Sequence, residues 1–170
     1  STEGQSITLV YIDGIEGWKN VHDSTSNITG NPNLVASVSG ACNTLATAPD
    51  CANVKIATFT GPGSFTVANA AQCAANNVVS YLIVGGGGSS GSCGGNGSGG
   101  GGAGGFREVK SPVTPYTASP LDGYPTAPNR VTVTAQVYAV EVGGGGAGYP
   151  GGRSAGGNSS FGGIISAGGG

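Results

Sequence analysis

Residues 85–105 read GGGGSSGSCGGNGSGGGGAGG, and the rest of the chain is organised around this stretch. Fourteen of its twenty-one residues are Gly, and the others are Ser, Ala, Asn and one Cys. Ordinary helices and strands avoid such runs because glycine loses more backbone freedom on ordering than any other residue. Two structures remain: a flexible linker, or extended left-handed helices of the polyproline II type, packed so closely that only glycine fits between them.

The flanking sequence favours the ordered structure. Residues 78–84 (VVSYLIV) lead into the first run, residues 136–142 (QVYAVEV) into a second run at 143–148, and residues 160–167 (SFGGIISA) into the terminal glycines. A linker needs no apolar strand before it, whereas a packed core needs several anchored runs. We therefore expect polyglycine helices whose backbone amides and carbonyls bond to neighbouring runs, with every third residue facing outward.

The composition predicts ordered self-association. The chain has 170 residues and 36 glycines, only 8% of its residues are charged, and its net charge is −2. Disordered chains usually combine low hydrophobicity with high net charge. Large apolar residues are sparse, so the core of a monomer would be thin and would need partners. The sequence contains no Met, so we expect a processed chain or a piece of a longer one. Its longest apolar run, at residues 78–84, is too short to cross a bilayer, so no membrane insertion is expected.

The first part of the chain is predicted to form strands. Residues 6–13 (SITLVYID) are β-branched and aromatic, and residues 17–22 are the expected returning strand of a hairpin. The clearest hairpin signal is the pair of segments 56–60 and 64–67, which flank Gly61-Pro62-Gly63. Residues 68–77 are rich in Ala and are consistent with one helical turn.

The predicted fold class is all-β, with two domains. Residues 1–77 form an N-terminal β domain of hairpins, which is the expected assembly region. Residues 78–170 form a glycine-rich domain of packed polyglycine-II-type helices with short strands and an inserted loop at 106–129.

Four cysteines allow two disulfides. Cys42 and Cys51 enclose a short polar loop (CNTLATAPDC), and Cys73 and Cys93 flank the strand that enters the glycines. No pair has the two-residue spacing of a zinc knuckle or a redox motif. Four reduced thiols are the alternative.

The sequence does not predict an enzyme. The only histidine, His22, adjoins Asp23 and Ser24, but the members of a catalytic triad meet through the fold rather than as neighbours. Only Asp13 and Glu16 are acidic residues close in sequence, and they bracket a turn instead of forming a glycosidase pair. The glycine runs match nucleotide-binding patterns by chance, without a Gly-Lys-Ser/Thr motif. One His and scattered Cys predict no metal, and six dispersed basic residues predict no nucleic-acid partner. No cofactor is expected.

Three tyrosines are candidates for recognition. Tyr116, Tyr124 and Tyr149 lie in Pro/Gly-rich segments with Ser, Thr and Asn, a composition typical of adaptable binding loops. The alternative is that these rings pack onto the glycine layers. Sequons for N-glycosylation occur at Asn27, Asn96 and Asn158.

The segments VSYLIVGGGG, GGGGAGGFREV, YAVEVGGGGAG and NSSFGGIISAGGG, in that order, resemble the glycine-rich domain of bacteriophage tail-fibre and receptor-binding tip proteins, including those of environmental phages. The segment ITLVYIDGIEGWKNVHDSTSNITG is similar to the strand-turn-Trp segments that precede such domains. The resemblance implies a non-enzymatic fibre or adhesin part, often trimeric, whose polyglycine helices present variable loops to a host receptor. By position, these loops are residues 106–129 and 149–158, the second including Asn158.

The cysteines depart from that pattern. Four Cys and no Met also fit an exported subunit, so a protomer of an extracellular helical filament is an alternative to a tail fibre of a virion. A glycan-binding adhesin module is a second alternative. The expected partners are other copies of the chain, in a trimer or a filament, and a glycan or protein on a host surface. We expect assembly through exposed strand edges, with Ile7, Leu9 and Tyr11 on the donor strand.

Overall fold

The structure, a computed structural model, describes residues 9–11, 18–20, 33–49, 51–91, 99–123, 129–148 and 153–170. These residues form an all-β fold with thirteen strands, one 3-10 turn at Ala74–Asn77 and no α-helix. The turn lies in the segment where a helical turn was expected. The strands, β1 to β13, are Leu9–Tyr11, Trp18–Asn20, Val35–Ser39, Thr44–Ala48, Cys51–Thr58, Gly63–Asn69, Val78–Val79, Tyr81–Val84, Phe106–Val109, Val131–Thr132, Val137–Glu141, Ser159–Phe161 and Ile164–Ser166.

The predicted N-terminal hairpin is confirmed where the structure describes it. Strands β1 and β2 pair antiparallel with Tyr11 opposite Trp18, and the centroids of these two rings lie 5.4 Å apart. Leu9 pairs with Asn20 in the same ladder.

Strands β3 to β6 form one long bent hairpin. The register is antiparallel throughout and pairs Ser39 with Ser64, Thr44 with Thr58, and Ala48 with Cys51. The hairpin predicted for residues 56–60 and 64–67 is therefore wrong. Strand β5 pairs with β4, while β6 pairs with β3 and β11. The Gly61-Pro62-Gly63 signal marks a bend in one leg, not the tip, which lies between Ala48 and Cys51.

A side chain fixes this bend. Asn43 donates from Nδ2 to the carbonyl oxygen of Ser39 at 2.9 Å. Its Oδ1 accepts from the backbone amides of Thr60 and Gly61 at 3.1 and 3.3 Å. Gly40 has a φ of +104°, in the left-handed region that favours glycine. We call residues 40–43 and 59–62 the elbow, and the β4–β5 hairpin beyond them (residues 44–58) the arm.

The core lies on the largest sheet, whose strand order is β13-β12-β11-β6-β3. Its buried apolar residues are Phe65, Val67, Val131, Val133 and Val140. The rings of Phe65 and Phe161 pack in a T-shaped arrangement with centroids 5.9 Å apart. This sheet contains strands from both sides of residue 77, where the sequence predicted a domain boundary. Beside it lie the two-stranded pairs β7–β10 and β8–β9, and β8 leads directly into Gly85.

Candidate functional site

Five glycine-rich segments, which are neither helix nor strand, extend from the strands of this sheet region. We call them segments A (85–91), B (99–105), C (143–148), D (153–157) and E (167–170). Segments A, C and E run away from strands β8, β11 and β13, whereas segments B and D return towards β9 and β12. The segments therefore form a bundle with a strand end and a distal end.

Backbone hydrogen bonds join segment A to its neighbours at every third residue. It donates to segment B from Gly85, Gly88 and Gly91, with acceptors Gly105, Gly102 and Gly99 at 2.9, 2.8 and 3.2 Å. Gly86 and Ser89, also three residues apart, donate to segment D. Segments C and E donate to segment A, at the carbonyls of Gly87 and Gly86. Segment A is thus the centre of the bundle, bonded to all four other segments.

The same spacing recurs between the outer segments. Gly102 and Gly105 of segment B donate to segment E. Segment D donates from Gly156 to segment E and from Gly157 to segment C. Among the described glycines, positive φ occurs at Gly40, Gly162 and Gly163, all outside the segments. Bonds three residues apart therefore occur both around segment A and between the outer segments.

The packing admits no side chains on the inner positions. A Cβ on Gly86 or Gly88 would lie closer than 3.0 Å to backbone atoms of a neighbouring segment. A Cβ on Gly87 would meet its nearest atom at 3.7 Å, and one on Gly144 would meet nothing within 4 Å. Glycine is thus required at the inner positions because the backbones approach each other closely there. Outward positions tolerate a side chain, and Ala103 of segment B is an example.

Polar side chains close the bundle at its strand end. Ser159, only 3% exposed, accepts from the amide of Gly143 at 2.9 Å and donates to the carbonyl of Val84 at 2.7 Å. The next residue back, Asn158, is exposed but accepts from the amide of Gly168 at 2.9 Å. Sequence reasoning proposed Asn158 for recognition and glycosylation and missed Ser159. The sequence feature that could have pointed to Ser159 is a pair of small polar residues followed by an aromatic residue, Ser159-Ser160-Phe161, at the start of a strand.

A second polar cluster anchors the segment after strand β9. Glu108 is 6% exposed and accepts from the amide and the hydroxyl of Ser119. Asp122 accepts from the amide of Lys110 at 2.9 Å. The Lys110 ammonium lies 5.7 Å from the centroid of the Tyr116 ring. Burial raises the pKa of Tyr116, and the nearby Glu108 and Asp122 carboxylates raise it further. The predicted recognition residue Tyr116 lies beside this network and remains 39% exposed.

A shallow cavity of about 160 Å³ lies beside this cluster. Its lining residues include Tyr81, Phe106, Arg107 and Asn129. The Tyr81 hydroxyl donates to the carbonyl of Asn129 at 2.6 Å. The cavity volume is below the roughly 300–1,000 Å³ of typical small-molecule sites.

The structure places Tyr116 and Arg153, one residue from each of the two expected loops, at opposite ends of the bundle. Tyr116 belongs to the strand end, because Ser111 donates its amide to Ser80 Oγ, just before strand β8. Arg153 lies against Gly91 at the distal end. Strand β8 and segment A lie between them. At about 3 Å per residue, the length of this stretch is on the order of 30 Å. Of the other proposed residues, Ile7, Asn27, Cys93, Asn96, Tyr124 and Tyr149 lie outside the described residues.

The predicted Cys42–Cys51 disulfide is not formed. Cys42, Cys51 and Cys73 are free. The arm separates the first two: Cys51 lies at its tip opposite Ala48, and the carbonyl of Cys42 accepts from Thr60 at the elbow. Strand β4 alone spans about 13 Å, whereas a disulfide requires Cα atoms within about 7 Å.

No group of three or more His, Cys, Asp or Glu side chains in the described ranges is arranged to hold a metal ion. Within those ranges, helices of the length and hydropathy needed to cross a bilayer are also absent.

Comparison with known proteins identifies the family of this chain. No curated protein and no solved structure has significant similarity to this chain. A family model described as "Glycine-rich domain" matches residues 59–170, which include all five segments and strands β6 to β13. This match covers well over half of the chain, which therefore belongs to the glycine-rich domain family.

Proposed function

We propose that segments A to E are polyglycine II helices. A left-handed helix of the polyproline II type has three residues per turn and no internal hydrogen bonds, so its backbone groups are free to bond to neighbours. The three-residue spacing of the bonds between segments supports this assignment. So does the absence of positive φ from the described glycines of the segments.

We further propose that the protein is a non-enzymatic structural subunit that self-assembles into a fibre and presents loops for surface attachment. The observation that carries the proposal is the bundle itself. Its inner positions exclude every side chain, so neighbouring segments pack backbone against backbone. Its segments are tied together by backbone bonds in several directions, which suits a stiff spacer.

The distribution of apolar residues supports self-assembly. In the described ranges thirteen large apolar side chains are exposed, against eight apolar residues that are buried.

Two settings fit such a subunit, a tail fibre of a virion and a helical filament outside a cell. A glycan-binding module is a second candidate function, favoured by the cavity at Tyr81, Phe106 and Arg107. The expected partners are other copies of the chain and a surface glycan or protein.

Sedimentation velocity and negative-stain electron microscopy over a range of protein concentrations test the proposal. We expect the mean mass to rise with concentration and elongated particles to appear. A chain that stays monomeric at about 100 μM, far above the dissociation constant of a typical specific interface, would refute self-assembly. A glycan array separates the candidates, because a purely structural subunit binds no glycan selectively.

A further inference from the structure

The distal end of the bundle carries a single charged side chain. Residues 85–105 and 143–170, which contain all five segments, include no Asp, Glu or Lys and one arginine, Arg153. Arg153 is exposed at the start of segment D. Because a guanidinium is always charged in proteins, this end presents a cation that no acidic side chain of the bundle neutralises.

Three hydrogen bonds fix the backbone beside Arg153. The amide of Ser154 donates to Ser89 Oγ at 2.9 Å, and the amide of Ser89 donates to the carbonyl of Ser154 at 3.0 Å. The amide of Ala147 donates to Ser154 Oγ at 2.6 Å. These bonds tie segment D to segments A and C at the distal end. The cation is therefore attached to an anchored stretch of backbone.

The Arg153 side chain lies across the end of segment A. Its Nε, Nη2 and Cζ atoms are 3.6, 3.6 and 3.7 Å from the position that a Cβ on Gly91 would take. Nearly equal distances from three atoms of one plane place the flat face of the guanidinium over Gly91. The N–H groups lie in that plane, so this contact uses none of them. A guanidinium edge can donate two parallel hydrogen bonds to one carboxylate, which is a strong and specific pairing.

We propose that the distal end binds an acidic sugar of a surface glycan, with Arg153 holding the sugar carboxylate. The hydroxyls of Ser89 and Ser154 each accept one amide hydrogen bond and keep a proton that can be donated to a sugar hydroxyl. Large apolar side chains, which form the buried core of most protein interfaces, are not exposed in the described residues of segments A to D. Charge and surroundings thus favour an acidic glycan over an acidic protein. The inference rests on the proposed surface attachment and names its ligand.

Biolayer interferometry with matched glycans tests the assignment. The immobilised probes end in glucuronic acid or in N-acetylneuraminic acid, and each has a counterpart in which the carboxyl group is reduced to an alcohol. A polyglutamate peptide supplies carboxylates without a sugar. The test variants are Arg153→Gln and Arg153→Lys. Arg107→Gln is the matched control, since Arg107 is an exposed arginine at the strand end and lines the cavity there. Circular dichroism checks that each variant is folded.

We expect the parent chain to bind at least one of the acidic glycans about tenfold or more tightly than its reduced counterpart, because reduction removes hydrogen bonds between charged groups. Arg153→Gln should lose this preference. Arg153→Lys keeps the charge but not the planar fork and should retain only part of it, while Arg107→Gln should bind like the parent.

Three results would overturn the assignment: equal binding of acidic and reduced glycans by the parent, an unchanged preference in Arg153→Gln, or a preference that Arg107→Gln abolishes. Polyglutamate that binds as tightly as the acidic glycans would overturn the sugar as the ligand. Selective binding of a neutral glycan would overturn the role of Arg153 and leave surface attachment standing. Self-assembly is measured separately by sedimentation, so its failure is distinguishable from each of these outcomes.

Discussion

Adding one methyl group at Gly86 or at Gly87 should have opposite effects on stability. A Cβ on Gly86 would overlap with the backbone of Gly143 and Gly144 in segment C. Segment C cannot move away without stretching its bonds to Gly87 of segment A and Gly157 of segment D. A Cβ on Gly87 has only the Gly102 carbonyl oxygen nearby, at 3.7 Å.

The magnitudes follow from the contacts. Overpacking costs about 1–3 kcal/mol, and the loss of two backbone hydrogen bonds adds about 1 kcal/mol each. Gly86→Ala should therefore lower the free energy of unfolding by about 4 kcal/mol, a large part of the 5–15 kcal/mol that typical domains possess. Gly87→Ala should raise it by about 0.4–1 kcal/mol, because alanine has less freedom in the unfolded chain.

Thermal unfolding followed by circular dichroism measures the difference. At about 2–4 °C per kcal/mol for a chain of this size, Gly86→Ala should lower Tm by roughly 10 °C and Gly87→Ala should raise it slightly. The neighbouring pair Gly143→Ala and Gly144→Ala repeats the comparison, since only the first would collide with a backbone. Equal effects at the two members of either pair would refute the packing of the bundle.

Three further predictions concern side chains. Asn43→Ala should lower the free energy of unfolding by about 2 kcal/mol, because it leaves the amides of Thr60 and Gly61 without their acceptor; Asn43→Asp, which keeps the acceptor, should cost less in the same urea titration. Ser159→Ala should cost about 1–3 kcal/mol by removing both bonds of a buried hydroxyl, while Ser160→Ala, the control one residue away, should leave Cm nearly unchanged. The pKa of Tyr116 is raised, so folding favours its neutral phenol; the resulting stabilisation is present below the ordinary pKa of 10.0 and is lost as the pH rises above it. In a titration followed by absorbance at 295 nm, Tyr116→Phe should remove one phenol that ionises above pH 10. If the phenol that the substitution removes ionises at or below pH 10, the burial of Tyr116 is contradicted.

The all-β class and the ordered glycine segments could be predicted because their signals are local. An apolar strand before each run, repeated three times, distinguishes a packed core from a linker. Residues 6–13 and 17–22 also form the expected pair where the structure describes them, because β-branched and aromatic residues flank a short turn.

The course of the long hairpin could not be predicted in the same way. Gly61-Pro62-Gly63 has the composition of a hairpin turn. Its conformation is instead fixed by Asn43, eighteen residues before Gly61, which accepts hydrogen bonds from the backbone amides of Thr60 and Gly61. A long-range side-chain bond of this kind leaves no local pattern. The same bend carries Cys42 and Cys51 to opposite ends of the arm, so the pairing suggested by their short spacing fails.

The role of the polar residues near the bundle was also hidden. Ser159 and Asn158 look like surface residues by type, but they bond to amides of glycine segments C and E, which compact packing brings to the end of strand β12. Glu108 is buried because Ser119, eleven residues further on, supplies its donors. Each of these roles depends on register between segments distant in sequence.

The glycine segments pair through backbone hydrogen bonds, and this affects how the connections between them would be presented to a partner. Residues 92–98 join segment A to segment B, and residues 149–152 join segment C to segment D, so both connections begin and end at the distal end of the bundle. The register of segments A and B is set by the amides of Gly85, Gly88 and Gly91, all of which lie outside these connections. Substitutions in the two connections should therefore alter surface recognition with little effect on Tm. Tyr116, at the strand end, belongs to a different surface, and its substitution should leave recognition at the distal end unchanged. If a substitution confined to residues 149–152 lowered Tm as much as Gly86→Ala, the connections would be structural parts of the bundle, and the presentation of loops would have to be assigned to the strand end.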